Sequence, residues 1–324
     1  MNHQPEESVV PFLTIVIPAF NRENQIGRAL GSCLGGTESD IEVIVVDDGS
    51  TDATSGRVLA VADPRVRLQR HASNFGVGPA RNTGASAARG TWLAFLDSDD
   101  ELLPGAIDTI RRRTTAVAGT VARCNFLYEV EGRGISPYPP PRADVLTYSE
   151  FVAWAGEAVL SDMFICVRRV TFASHRFPED RGFEGLYHLD FHRRWTSRFF
   201  AERVARIHSD APNRYSNLPL SARLRREIAM ASAMVAQARQ VQERHGAILA
   251  ELAPRLLRRY VREEVVGLFL TGHRYQGLMR LRKSRAHAFN AVEAVAVALA
   301  GILGPTALGL AKAARESFRR SHRR

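Results

Sequence analysis

Cysteine is scarce: Cys33, Cys124 and Cys166 are the only three in 324 residues, widely spaced and without a CxxC pair. That argues against a disulfide framework or a thiolate metal centre and fits a reducing compartment. The N-terminus, MNHQPEESVVPFL, lacks the basic start and apolar run of a secretory signal, so the chain is expected to stay in the cytoplasm. No early segment reads as a membrane span, and no internal repeat is present. A GxGxxG after the first strand is missing, as is an early Gly-rich phosphate loop, which argues against a nicotinamide dehydrogenase and a nucleotidyltransferase. The basic residues come without interleaved aromatics or a recognised module, so no nucleic-acid partner is expected.

What the chain does have is an uneven charge. Residues 1–219 hold 24 Lys and Arg against 27 Asp and Glu, so the net +10 of the whole chain places +13 on residues 220–324. The length suits one large domain with an appendage.

Apolar runs at Leu13–Ile17, Glu42–Val46, Val66–Gln69 and Trp92–Leu96 alternate with segments of helical spacing. Ile41 with Val43–Val46 is apolar enough to be buried on both faces, so the rhythm predicts an α/β fold with a parallel sheet and ligands at the carboxyl ends of its strands. Asn21 is placed to cap the first helix, and Pro79 and Gly90 bracket another. Beyond Pro104 we expect a helix of about ten residues, the segment Thr120–Val130, a Pro-rich turn at Ser136–Pro141 and a strand at Met163–Val167. A polar loop at His175–Gly185 and a helix over Leu186–Arg203 follow, with helices only from Pro219 onward.

Four clusters carry chemistry. The first strand stops at Pro18, and Ala19, Phe20 and Asn21 open onto a helix whose N–H groups can meet a nucleotide. The second strand delivers Asp47 and Asp48 before Gly49, and one of these carboxylates can accept from a base N–H or a ribose hydroxyl, although Asp48 or Ser50 could equally cap the next helix. Asp52 reads as structural. In the third cluster Gly76 and Gly78 allow close backbone approach, and Arg81 on the first helical turn could hold a phosphate. The fourth is Asp97-Ser98-Asp99-Asp100, three carboxylates leaving one strand. Their repulsion is costly unless water or a cation relieves it, and hard oxygen ligands of this kind suit Mg2+ or Mn2+.

Taken together, IVIPAFNR, VVDDGSTD, NFGVGPARNTG and ARGTWLAFLDSDD resemble glycosyltransferase family 2, the inverting enzymes with a GT-A fold, and it is this resemblance that singles out Asp97 and Asp99 among the three carboxylates. The resemblance is strong over residues 11–117 and looser to about 205. It implies a GT-A domain over 11–218, with a donor-binding half at 11–117 and an acceptor half at 118–218, after a short tail at 1–10. It further implies that Asp47 or Asp48 contacts the nucleoside, that Arg81 and Ser98 lie near the nucleotide, and that Asp97 and Asp99 form the DxD-type metal site, with Asp99 the direct ligand. The family's catalytic base, commonly an acidic pair before an aromatic residue and a helix, is altered here. Asp190 in HLDFHRRW is the better match, with Glu184 in GFEG as the rival register. Asp190 could also be a helix cap or an ion-pair partner of Arg193 or Arg194, and His188 and His192 read as surface groups. The implied activity is transfer of a sugar from a nucleotide-diphosphate sugar to a hydroxyl of a glycan or lipid-linked acceptor. The alternative is a binding or scaffolding protein whose altered base motif has lost catalysis.

Residues 219–324 read as basic helices. The stretch AVAVALAGILGPTALGLA at 294–311 is nearly uncharged but interrupted at Gly304-Pro305, so we expect an interfacial or re-entrant helix on an anionic membrane surface rather than a span, with ordinary helical packing or a subunit contact as the alternative. The chain would then sit on the inner face of the plasma membrane.

Overall fold

The computed structural model describes residues 10–36, 38–159, 162–179, 184–210, 219–289, 291–304 and 307. These fall into two compact units, one of Met1–Phe151, Ala158–Glu179 and Asp190–Ala211, the other of Val152–Glu157, Asp180–Leu189 and Pro212–Arg324.

In the first unit β1 (Leu13–Ala19), α1 (Ile26–Leu34), β2 (Ile41–Asp47), α2 (Thr54–Leu59), β3 (Val66–Arg70), α3 (Val77–Ala87) and β4 (Trp92–Phe95) follow the expected alternation. Next come β5 (Glu101–Leu102), α4 (Ala106–Thr115), β6 (Val121–Val130), β7 (Gly134–Ser136), β8 (Val145–Leu146), α5 (Tyr148–Glu157), β9 (Phe164–Arg168), α6 (Arg169–Ser174), α7 (Glu184–Arg194) and β10 (Thr196–Ile207), of which Val152–Glu157 of α5 and Glu184–Leu189 of α7 belong to the second unit. One sheet runs β3-β2-β1-β4-β9-β6-β10-β5, with β7 on β6 and β8 on β10. The first four strands are parallel, and β9 is antiparallel to both β4 and β6. β1 and β2 are buried at every position, as strands covered on both faces must be. Their Leu13, Ile15, Ile17, Val43 and Val45 join Trp92, Leu96, Phe126 and the α1 face Ile26, Ala29, Leu30 and Cys33 in one core.

Two expectations are corrected here. Asn21 does not cap α1; it adopts φ 52, and its side chain turns back to accept from the Thr51 N–H. The helix expected over Leu186–Arg203 ends at Arg194, and the rest belongs to β10. The run Phe199, Phe200, Val204 and Ala205 is buried because β10 lies parallel to β6, so sheet pairing overrides the helical spacing.

Glu42 is a carboxylate inside a core strand. Its oxygens accept from Thr14 Oγ1 at 2.7 Å, the Arg89 backbone at 2.5 Å, Arg89 Nε at 3.1 Å and Arg67 at 3.2 Å. Burial pushes its pKa up, but the Arg89 N–H, the Thr14 hydroxyl and the Arg89 guanidinium outweigh that and hold it below the usual value. Because the folded value lies below the unfolded one, near 4.3, its stabilisation is complete above that pH and is lost as pH falls through the lower folded value. Glu42→Ala leaves the buried Thr14 hydroxyl and the Arg89 N–H without their acceptor and is expected to cost about 1–3 kcal/mol in a urea melt. Glu42→Gln should flatten the acid limb of the stability curve below about pH 4; an unchanged acid limb would contradict this assignment.

The second unit is built on α8 (Leu220–Leu252), α9 (Pro254–Leu270), α10 (Arg274–Ala288) and α11 (Ala291–Leu303). Their faces meet around Ala231, Val265, Phe269, Leu270, Leu281 and Ala294. Glu264 is buried there and accepts from Arg239 at 3.0 Å, Gln242 at 3.0 Å and Arg280 at 2.7 Å, which ties α8, α9 and α10 together. No described helix is long and apolar enough to cross a membrane.

Candidate active site at the carboxyl rim

The parallel register brings the ends of β1, β2 and β4 to one rim. Ala19 lies beside Asp47, Val16 beside Phe95, and Leu96 donates to Val16 O just before Asp97. The loops that leave this rim are locked to one another. Asn21 N donates to Ser50 Oγ at 2.9 Å and Arg22 N to Thr54 Oγ1 at 2.8 Å, so the segment Pro18, Ala19, Phe20 and Asn21 is fixed against the turn after β2. Asp52 accepts from Thr54 and Glu23 N–H groups and is structural, as expected.

The Asp47–Asp48 pair is turned to its own chain. Asp47 is fully buried and accepts from Ser50 N at 2.8 Å and from the Ser55 hydroxyl, with Arg70 Nε 3.8 Å away. Asp48 caps no part of α2. Its oxygens take the N–H groups of Phe75 at 3.0 Å and Gly76 at 2.7 Å and meet His71 Nδ1 at 2.7 Å, so it holds the entry of α3. Gly49 permits this closeness: it sits at φ 76, and a Cβ there would lie 2.6 Å from the Ser73 backbone. Gly76 starts α3 at φ 106, again a conformation that favours glycine.

α3 then carries Arg81 to the fourth cluster. Its guanidinium pairs with Asp97 at 2.8 Å and lies 5.1 Å from the Phe177 ring centre. Asn82 exchanges two hydrogen bonds with the Phe177 backbone, which fixes that ring against α3. One chain of contacts thus runs from Asp48 through α3 and Arg81 to Asp97, joining two strand ends.

The acidic cluster is relieved from several sides. Ser98, Asp99 and Asp100 are buried, whereas the Asp97 side chain is 46% exposed. Asp100 accepts from His208 N at 3.2 Å. Glu101 faces Arg206 at 2.9 Å and His208 Nε2 at 3.2 Å. From α1, Arg28 donates to the Asp99 carbonyl and forks onto Asp210 at 2.8 and 3.0 Å. Burial, with Asp97 and Asp100 close by, pushes the Tyr128 phenol well above its ordinary pKa, which keeps it a neutral neighbour of the cluster. Arg28, Tyr128, Phe177, His208 and Asp210 carry no motif, and only tertiary packing reveals them.

Among the described residues no three Asp, Glu, His or Cys side chains converge on a metal position. The donor set nevertheless fits a cation that takes most of its ligands elsewhere. Mg2+ commonly binds through one or two carboxylates and fills its shell with substrate phosphates and water, and Asp97 and Asp99 are two hard oxygen donors on one loop.

Both candidate bases lie on α7, Glu184 exposed at its start and Asp190 half-buried. Asp190 belongs to the same compact unit as Asp97 and Asp99, and Glu184 to the other. The expectation that His192 is a surface group is corrected. It is buried, stacked 3.8 Å from the Phe151 ring, with Nε2 at 3.1 Å from Arg123 and 2.9 Å from Ser197 Oγ. Arg123 is itself buried and packs 4.3 Å from the Phe191 ring centre, so the residues after Asp190 anchor α7 to the sheet.

A parallel α/β half whose strand ends gather carboxylates and a helix-borne arginine, continued by antiparallel β9 and by β6 and β10, defines a GT-A-type domain. Residues 14–146 match glycosyl transferase family 2. It is 42% identical over 132 residues to the succinoglycan biosynthesis protein ExoO of Rhizobium meliloti, covering 40% of this chain and 38% of that one. It is 34% identical over 148 residues to the uncharacterized glycosyltransferase EpsJ of Bacillus subtilis, covering 44% and 42%. The chain therefore spans about two fifths of these curated relatives. Among solved structures, S. aureus TarS 1-349 in complex with UDP-GlcNAc superposes with a TM-score of 0.58 at 16% identity, covering 95% of this chain and 92% of that one. The mannosyltransferase PcManGT of Pyrobaculum calidifontis, in complex with GDP-Man and Mn2+, gives 0.53 at 16%, covering 90% and 80%.

Proposed function

We propose that the chain is an inverting glycosyltransferase that moves a sugar from a nucleotide-diphosphate sugar to a hydroxyl acceptor in polysaccharide, glycolipid or cell-envelope glycan synthesis. The carrying observation is the shared rim, where Asp48, α3, Arg81 and Asp97 link two strand ends into one edge. Solved neighbours of the same fold carry UDP-GlcNAc or GDP-Man at similar chain coverage, and a relative serves succinoglycan biosynthesis, which supports a nucleotide-sugar donor and a glycan or lipid-linked acceptor.

In this reading the segment Pro18, Ala19, Phe20 and Asn21 and the Asp47–Asp48 turn receive the nucleoside, and Gly76, Arg81 and Ser98 border its phosphates. Asp97 and Asp99 would hold Mg2+ or Mn2+, which when bound offsets the charge that builds on the diphosphate. Arg81 contributes positive charge at the same edge, and its fixed position avoids reorganisation during the reaction. Asp190, rather than Glu184, takes the proton of the acceptor hydroxyl. The acceptor oxygen bonds to the sugar C1 as the bond from C1 to the diphosphate oxygen breaks, and that electron pair leaves with the nucleoside diphosphate. Holding donor and acceptor together lowers the entropic part of the barrier. Residues 11–218 form the transferase domain, and 219–324 a basic helical extension that places the enzyme on the cytoplasmic face of the membrane.

A screen of UDP-, GDP- and dTDP-sugars with Mn2+ or Mg2+, reading released nucleoside diphosphate, tests this. Release from one nucleotide class, lost on chelation, is expected. Absence of both binding and release across the panel would overturn the reading.

A further inference from the structure

A helix apolar on every side is ordinarily buried on every side, and α11 is not. Inward, Ala294 joins the cluster around Phe269, and Gly301 sits so close to the Phe269 ring that no Cβ would fit. Outward, Val295, Leu299, Ile302 and Leu303 stand 59%, 57%, 48% and 76% exposed. The only charged residue of the helix, Glu293, is tied to Arg262 at 2.6 Å. α10, which packs on α11, repeats the arrangement. Its Gly277, Leu281 and Ser284 are buried, while Tyr275, Leu278 and Met279 are exposed.

The exposed charge on α10 has one sign. α10 contains no Asp or Glu, and its Arg274, Arg282 and Lys283 are exposed. A second copy of this face would bring like charges together. At 13 residues α11 is too short to span a bilayer, which takes about 20. Apolar stripes bordered by cations match the boundary between anionic headgroups and acyl chains.

We propose that the outward stripes of α11 and α10 form a docking surface for an anionic lipid bilayer, with Val295, Leu299, Ile302 and Leu303 at the acyl boundary and Arg274, Arg282 and Lys283 over the headgroup phosphates. This names the surface behind the membrane position suggested above, and it stands apart from the catalytic reading because lipid binding is measured without donor or acceptor.

Co-sedimentation of the full chain with vesicles of phosphatidylcholine alone, and of phosphatidylcholine with phosphatidylglycerol, is the test. The chain should sediment with the anionic vesicles only and be released in about 1 M salt, where the screening length falls to about 3 Å. Arg282→Gln with Lys283→Gln should weaken partitioning about fivefold per charge, roughly thirtyfold for both. Leu299→Glu with Ile302→Glu should abolish it while the thermal melt stays in place, because both side chains point outward. Equal binding to both vesicle types, no binding to either, or a dimer that Leu299→Glu dissociates would overturn the proposal, and the first two need no variant.

Discussion

Replacing Asp99 by alanine is expected to reduce nucleotide-sugar turnover about a thousandfold while leaving the protein folded. The magnitude follows from the several kcal/mol that a diphosphate-bound cation supplies to transition-state charge, at about 1.4 kcal/mol per tenfold. Retention of the fold follows from the structure. Arg28 grips this loop through the Asp99 carbonyl, which alanine keeps, and the neighbouring anchors run through Asp100 to His208 N and Glu101 to Arg206. A urea melt beside the initial-rate assay separates the two outcomes. Loss of the cooperative unfolding transition would move Asp99 from chemistry to architecture, and full activity would reject its metal role.

Asp190→Asn is expected to lower kcat by about 10^2–10^4, the range general-base catalysis contributes, whereas Glu184→Gln should change it by less than about threefold. Asparagine keeps the size and much of the hydrogen bonding of the carboxylate but cannot take the acceptor proton. The helix around it should be unaffected, because α7 is held by Phe191 on Arg123 and by His192 between Phe151 and Ser197. With Asp190 as base, donor hydrolysis and donor KM should change far less than kcat for transfer. The opposite pattern, loss in Glu184→Gln alone, would assign the base to the start of α7.

The parallel half of the sheet was legible in the sequence because its signals are local and periodic. Runs such as Ile41–Val46 must be buried on both faces, and short loops between them leave little choice but a parallel sheet. The boundaries of β1, β2, β3 and β4 fall within two residues of those expected. The second half was less legible because its strands are specified by partners far along the chain. Nothing near Trp195 announces that Thr196–Ile207 will lie beside Val121–Val130, and its aromatic and alanine residues suit a helix face as well as a strand. The buried state of His192 likewise depends on Arg123 and Phe151, 69 and 41 positions away.

Within the site, the motifs located the rim but not the division of labour along it. Asp47 and Asp48 look interchangeable in the sequence, yet one closes the turn to Ser50 and Ser55 and the other fastens α3. Arg81 could equally have been a solvated helix residue, and its partner Asp97 appears only when β4 is placed beside β1. Arg28 and Asp210 are 182 residues apart, and no spacing rule joins them.

In the proposed enzyme, parallel strands carry acidic side chains to one edge, where they hold a nucleoside diphosphate together with a cation. Crystals grown with UDP or GDP and Mn2+, with the ion located by its anomalous signal, test it most directly. An oxygen of Asp97 or Asp99 should be among the ligands of the ion, with the nucleobase beside Phe20 and the Asp47–Asp48 turn. Nucleotide bound elsewhere on the chain, or manganese with no carboxylate of the Asp97–Asp100 loop in its shell, would contradict it.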